Sequence, residues 1–94
     1  MVTKRPTETI QLEYPIEIDG VSTDCLSMRR PTVRDQLMFD EAKGSEARRV
    51  VKMIANLCEV APSTIESLDT ADFAKVSETL AGFQSGPRAS SDEE

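Results

Sequence analysis

The sequence predicts a small α+β fold, in which an N-terminal β-hairpin is followed by three to four short α-helices that cover one face of the hairpin. Apolar and polar residues alternate up to an Asp-Gly dipeptide, which is typical of a half-buried strand entering a tight turn. Apolar residues recur at helical spacing over about residues 33–83. Since 94 residues allow only one hydrophobic core, we expect a single domain.

A lead-in segment and a strand open the chain. Residues 1–8 are polar and show no periodicity, which predicts a flexible segment. Apolar side chains then occupy every second position and should share one face of a strand: Ile10, Leu12, Tyr14, Ile16 and Ile18. Because Pro15 has no backbone N–H to donate, the strand should lie at an edge or carry a bulge there.

The turn of the predicted hairpin is the dipeptide Asp19-Gly20, which accepts the positive φ angles of a tight turn. A return strand is expected over about residues 21–29. Val21 is out of phase with the later apolar residues of that strand, which predicts a bulge near residues 22–24.

Four helical segments are expected after the hairpin, over about residues 33–43, 46–59, 63–68 and 71–83. Thr32 and Asp35 have the spacing of a capping box at the start of the first helix, and Ser45 can cap the second. Pro62 suits the first turn of the third helix. Residues 85–94 contain no apolar side chain larger than Ala, which predicts a disordered acidic tail and leaves 9–84 as the folded domain.

The net charge of −6 is unevenly distributed. Residues 1–52 hold nine basic and nine acidic groups, whereas residues 53–94 hold two basic groups against eight acids. An acidic chain has no general attraction to phosphate backbones, so no nucleic acid partner is expected. No apolar run approaches the ~20 residues that span a bilayer, so no membrane association is expected either.

The residue types also argue against an enzyme. The chain has no His, which removes the commonest metal ligand and the usual proton shuttle near neutral pH. Cys58 should be a buried, inert thiol, and Cys25 lies within a predicted strand. The closest carboxylates are neighbours on a helix or lie at a helix start, and we expect structural roles for both pairs: Asp40 with Glu41, and Asp69 with Asp72. No catalytic, cofactor or metal site is therefore predicted.

The first helix carries two apolar faces, one with Val33 and Leu37 and the other with Met38, Phe39 and Ala42. Such a helix is either sandwiched inside the fold, or it packs through one face and offers the other to a partner. Met and Phe suit the adaptable binding of amphipathic helices. Met38, Phe39 and Ala42 are accordingly candidate partner-binding residues.

A cluster of three arginines, Arg29, Arg30 and Arg34, lies between the second strand and the first helix. One interpretation is a solvated loop. The other is a set of charged contacts with acidic stretches of a partner, which would depend on salt.

Two stretches carry a resemblance to a known family: R-R-P-T-V-R-D at residues 29–35 and N-L-C-E-V at residues 56–60. Together with the strand, the Asp-Gly turn, the Pro-led turn and the last helix, they give an order over residues 8–84 that resembles the tail assembly chaperones of contractile-tailed, Mu-like bacteriophages.

The resemblance implies a non-catalytic protein of the host cell cytoplasm, absent from the mature virion. It implies that the protein binds the phage tape measure protein, keeps it soluble and helps recruit tail-tube subunits. Many such chaperones also exist in a longer form made by programmed ribosomal frameshifting, which is thought to contact the tail-tube protein, and residues 85–94 are where that extension would begin. Self-association through the strand at residues 10–18 or through the first helix is also expected.

Two functions of other classes stay open at this point. A small acidic antitoxin or adaptor protein would bind one globular partner in a fixed, low stoichiometry. A structural head–tail connector component would remain in purified virions.

Overall fold

A β-hairpin followed by four helices makes up the fold. The computed structural model describes the backbone of residues 7–91 and the side chains of residues 7–83. The elements are, in order, β1 (Thr7–Ile18), β2 (Val21–Arg29), α1 (Val33–Glu41), α2 (Glu46–Cys58), α3 (Pro62–Glu66) and α4 (Thr70–Ser91). β1 and β2 pair antiparallel in a two-stranded sheet. The predicted α+β class with the hairpin first is confirmed.

The hairpin turn lies at the predicted residues, whereas the bulge lies on β1 and not on β2, where it was expected. Asp19 and Gly20 both have positive φ, 53° and 81°, as a tight hairpin turn requires. Between the pairs Gln11–Cys25 and Ile16–Thr23, β1 advances five residues while β2 advances two. The extra residues therefore belong to β1, and the prediction of a bulge near residues 22–24 is wrong.

The β1 bulge breaks the predicted alternation at one residue. Tyr14 is 57% exposed, although its position in the alternation predicts a place beside Leu12 and Ile16 on the buried face. A bulge reorients the side chains within it, because those residues have no single partner across the ladder. Pro15 lies inside this irregular stretch, and each strand of a two-stranded sheet is an edge strand, so both positions expected for it are met.

The hydrophobic core lies between one face of the hairpin and the helices α2, α3 and α4. From the hairpin it takes Ile10, Leu12, Ile16, Leu26 and Met28. From the helices and the α3–α4 connection it takes Met53, Ile54, Ala55, Leu57, Cys58, Ile65, Leu68, Val76 and Leu80. The core is aliphatic apart from its sulfur-containing members, and the half-buried aromatic rings pack around it.

Helix ends differ from the predicted ones at two places. α1 ends at Glu41, and its C-cap Ala42 is already extended, so the helix is shorter than the predicted 33–43. α4 continues to Ser91, well beyond the predicted end near residue 83, and is not a short helix. Residues 85–91 of the predicted disordered tail are therefore part of α4. Residues 92–94 of that tail and residues 1–6 of the predicted lead-in lie outside the described residues.

A buried carboxylate at the start of α4 holds the β1 bulge. The backbone N–H groups of Glu13 and Tyr14 donate to Oδ1 and Oδ2 of Asp72, at 2.9 and 3.0 Å. These hydrogen bonds hold the pKa of Asp72 below its usual value, with Glu13 contributing most. A bulge takes backbone N–H groups out of the ladder, and a buried N–H needs an acceptor. Asp72 supplies it, which agrees with a structural role for this residue.

Candidate partner-binding site

The site is built on α1, whose start is set by a capping box. The Thr32 hydroxyl accepts a hydrogen bond from the backbone N–H of Asp35 at 3.3 Å. In return, Oδ2 of Asp35 accepts from the backbone N–H of Thr32 at 2.8 Å. The predicted start signal is confirmed, and it fixes the direction in which α1 leaves the hairpin.

Asp35 also ties α1 to the rest of the fold. Arg29 at the end of β2 donates to both carboxylate oxygens, at 2.7 and 3.2 Å. Asn56 of α2 donates from Nδ2 to Oδ1 at 2.9 Å. Asp35 is buried, and the Arg29 guanidinium holds the pKa of this carboxyl well below its usual range. One charged side chain thus joins three elements, and we call Arg29, Thr32, Asp35 and Asn56 the polar junction.

The three arginines of the predicted cluster have separate environments. Arg29 turns inward to Asp35, so the interpretation as a solvated loop is wrong for this residue. The guanidinium of Arg30 lies 5.7 Å from the centroid of the Phe83 ring, within range of a cation–π contact. Arg34 is exposed on the first turn of α1. Of the three, Arg34 presents the most open cation to a partner.

α1 is not sandwiched within the fold. Among its apolar residues, Phe39 packs against the core, and Ala42 just after the helix is half-buried. Val33 is 77% exposed, and Leu37 and Met38 are each 53% exposed. The helix therefore packs through Asp35 and Phe39 and leaves three large apolar side chains at the surface. Of the two predicted apolar faces, Val33 and Leu37 of one and Met38 of the other are exposed, whereas Phe39, expected on the partner-binding face, packs against the core.

A pocket of about 110 Å³ opens between α1 and α2. Its apolar lining comes from Met38, Phe39 and Ala42, which are the three residues predicted from sequence, together with Met53 of α2. Its polar lining comes from Asp35, Arg49, Lys52 and Asn56. The structure thus brings Met38 and Phe39 of α1 and its C-cap Ala42 together at one concave surface, with Met38 the most exposed of them.

Helical spacing places Arg49 and Lys52 on the side of α2 opposite its apolar residues, and the structure shows that both line the pocket. Arg49 donates from Nη1 to the Phe39 carbonyl oxygen at 3.2 Å, and its guanidinium lies 4.7 Å from the centroid of the Phe39 ring. These contacts fix α1 to α2 at the end opposite the polar junction. The sequence contains a pattern that indicates this second contact face of α2, because residues 49, 52, 53 and 56 recur at helical spacing beside its apolar residues.

The two cysteine thiols lie in different environments. Burial raises the pKa of the Cys58 thiol to about 11, which leaves it protonated and unreactive near neutral pH. Cys25 is half-buried, and neither cysteine is in a disulfide. Within the described residues, no group of three His, Cys, Asp or Glu side chains is placed to hold a metal ion. No helix there is both long and apolar enough to cross a bilayer.

Comparison with known proteins gives one family. Residues 9–85 match the family model described as phage tail assembly chaperone proteins, E, or 41 or 14. No curated protein and no solved structure shows significant similarity to the chain. The matched region includes all but the first two residues of the hairpin, the polar junction, the α1–α2 pocket and the buried Asp72. The chain therefore belongs to the phage tail assembly chaperone family.

Proposed function

We propose that this protein binds the tape measure protein of its phage, keeps it soluble, and helps recruit tail-tube subunits while the tail is built. The family match over residues 9–85 is the observation that carries the proposal. A chaperone family suggests a non-enzymatic role. On this proposal the protein acts in the host cell cytoplasm and is absent from the mature virion.

The exposed apolar residues of α1 support a partner-binding role. Val33, Leu37 and Met38 stand at the surface on one short helix, beside the pocket between α1 and α2. Grouped apolar side chains at a surface are typical of an interaction site, and a helix with an apolar stripe is a suitable partner for such a surface. The tape measure protein, as a long helical chain, would present stripes of this kind.

The charge of the chain supports a solubilising role. Copies with a net charge of −6 repel one another and would keep a coated partner dispersed. Many weakly bound copies along one partner would also reinforce each other by avidity. Self-association through β1 or α1, and a longer frameshifted form that contacts the tail-tube protein, belong to the same proposal.

The test is co-expression with the tape measure protein of the same phage, followed by light scattering on the material that co-purifies. The expected result is a soluble complex with many copies of this chain on each tape measure chain. If the tape measure protein precipitates while this chain stays alone in the supernatant, the proposal is wrong. A small complex with one globular partner would instead favour the antitoxin or adaptor class.

A pair of variants ties the result to α1. Leu37→Ser with Met38→Ser removes two exposed side chains and should abolish capture of the tape measure protein. Val21→Ser is the matched control, because Val21 is 65% exposed on the hairpin and lies outside the pocket lining. Phe39 is unsuitable for this test, since it packs against the core and carries the Arg49 contact. Equal capture by the double variant would remove α1 from the proposed interface.

A further inference from the structure

We propose that the α1–α2 pocket receives one apolar side chain from a helix of the tape measure protein, and that Lys52 and Arg49 pair with an acidic residue one turn away on that helix. The inference rests on the proposed function and deepens it, because it names the chemistry of the segment that is recognised.

The size of the pocket sets the size of the apolar anchor. Its volume is about 110 Å³. An apolar protein cavity of about 150 Å³ holds one benzene molecule. The pocket is smaller than that, so it accommodates a single aliphatic side chain and neither an aromatic ring nor a whole helix face. Met38 and Met53 on its walls are flexible enough to adjust to such a side chain.

The positive charges of the pocket lining favour an acidic residue beside the apolar anchor on the bound helix. Two of the lining side chains are cations, Arg49 and Lys52. Asp35 is the carboxylate among the lining residues, and it is buried and bound to Arg29 and Asn56. Within the lining, the cations at the rim are thus the charges that a ligand meets, although the whole chain carries −6. An acidic ligand is attracted at this rim and repelled by the acidic remainder of the protein.

The two cations are placed for different tasks. Arg49 lies over the Phe39 ring and donates to the Phe39 carbonyl oxygen, so its guanidinium is held at the rim with further N–H donors to offer. Lys52 is exposed on the adjacent turn of α2. On a bound helix, a residue three or four positions from the anchor lies on the same face, about 5–6 Å away. An Asp or Glu at that spacing would come within reach of both cations.

The experiment uses overlapping synthetic peptides that cover the tape measure protein of the same phage, each long enough to form a helix, with binding followed by fluorescence anisotropy. We expect the binding peptides to contain a large aliphatic residue with Asp or Glu three or four positions away. Lys52→Glu should weaken their binding about tenfold. Lys43→Glu is the matched control, because Lys43 is exposed, lies outside the pocket lining and makes the same change in net charge. Binding to this control should change less than about twofold.

Two further changes test the geometry. Ala42→Leu should fill the pocket and weaken binding by about tenfold, while thermal unfolding reports that the chain still folds. A peptide whose acidic residue is replaced by Lys should lose binding to the unchanged protein and regain it with the Lys52→Glu variant. Rescue in that pairing, and not with Lys43→Glu, assigns the contact to Lys52.

The outcomes separate this inference from the proposed function. If peptides bind the unchanged protein and all three variants equally, the pocket is not the recognition site, and tape measure binding stands without it. If neither the peptides nor the full-length tape measure protein bind the unchanged protein, the proposed function and this inference both fail.

Discussion

The core and α1 are attached to the molecule by different kinds of interaction. α2, α3 and α4 bury apolar side chains against the hairpin, and Ile54 and Val76 have no exposed surface at all. α1 has one buried residue, and that residue is the charged Asp35. The helix is held by the polar junction at one end and by Phe39 and Arg49 at the other. Polar attachment leaves the apolar side chains of α1 available for another molecule.

The largest expected effect is in the core. Ile54→Ala should lower the free energy of unfolding by about 3 kcal/mol, because it removes buried methyl groups and leaves a cavity. Urea denaturation followed by circular dichroism measures this change. A loss below about 1 kcal/mol would mean that the site collapses readily and that the core is less tightly packed than the burial of Ile54 implies.

Substitution of Asp35 in the polar junction should give the second largest loss of stability. Asp35→Ala removes the cap of α1 and leaves Arg29 and Asn56 without their shared acceptor, so we expect a loss of about 2–3 kcal/mol. The matched control is Asp40→Ala, an exposed carboxylate on the same helix, which should change stability by less than about 0.5 kcal/mol. If the two variants lose the same amount, α1 is not anchored by Asp35.

Acid should lower the stability of the protein through two buried carboxylates, Asp35 at the start of α1 and Asp72 beside the β1 bulge. The pKa values of Asp35 and Asp72 are lowered in the folded protein, so the unfolded chain binds protons first as the pH falls. The stability they contribute is complete above the unfolded pKa of about 4 and is lost as the pH drops through the folded values. Unfolding measured from pH 7 to pH 2 should show this decline below about pH 4.

The variant Asp35→Asn measures how much of the loss of stability at low pH is due to Asp35. Asp35→Asn keeps the size of the side chain but cannot be deprotonated, so its stability should fall less steeply in the same pH range. An unchanged slope would attribute the whole effect to other carboxylates, with Asp72 the first to examine.

The smallest effect on stability is expected on the exposed side of α1. Leu37→Ser should change the free energy of unfolding by less than about 0.5 kcal/mol, because Leu37 is more than half exposed. The same urea experiment measures it beside Ile54→Ala. A loss close to that of Ile54→Ala would show that Leu37 is covered in solution, for example by a second copy of the chain.

The parts of the fold that could be predicted from sequence are set by local chemistry. Asp19-Gly20 turns the hairpin because those residues tolerate positive φ, and Thr32 with Asp35 caps α1 because their spacing is that of a capping box. Met38, Phe39 and Ala42 line one pocket, as their grouping on one side at helical spacing suggests, and their role in partner binding stays a prediction. In each case the deciding residues lie within a few positions of one another.

The parts that were missed depend on residues far apart in the chain. Asp72 contacts the β1 bulge across 58 and 59 positions, and Asn56 reaches Asp35 across 21. The length of α4 was missed for a different reason, since Gly and Pro after Phe83 predict a helix end that the fold does not follow. Helical spacing within α2 separates Arg49 and Lys52 from the core, and only the position of α1 beside α2 makes them part of a pocket.

The amino-acid sequence by itself determined the α+β class, the order of the elements, the turn, the caps and the apolar faces of α1, since these follow from φ preferences and spacing along the chain. Only the tertiary structure decided which strand carries the bulge, which side of α1 stays exposed, and which cations stand at the pocket rim. A buried N–H or carboxylate must find a partner, and the packing of distant elements decides which partner is within reach.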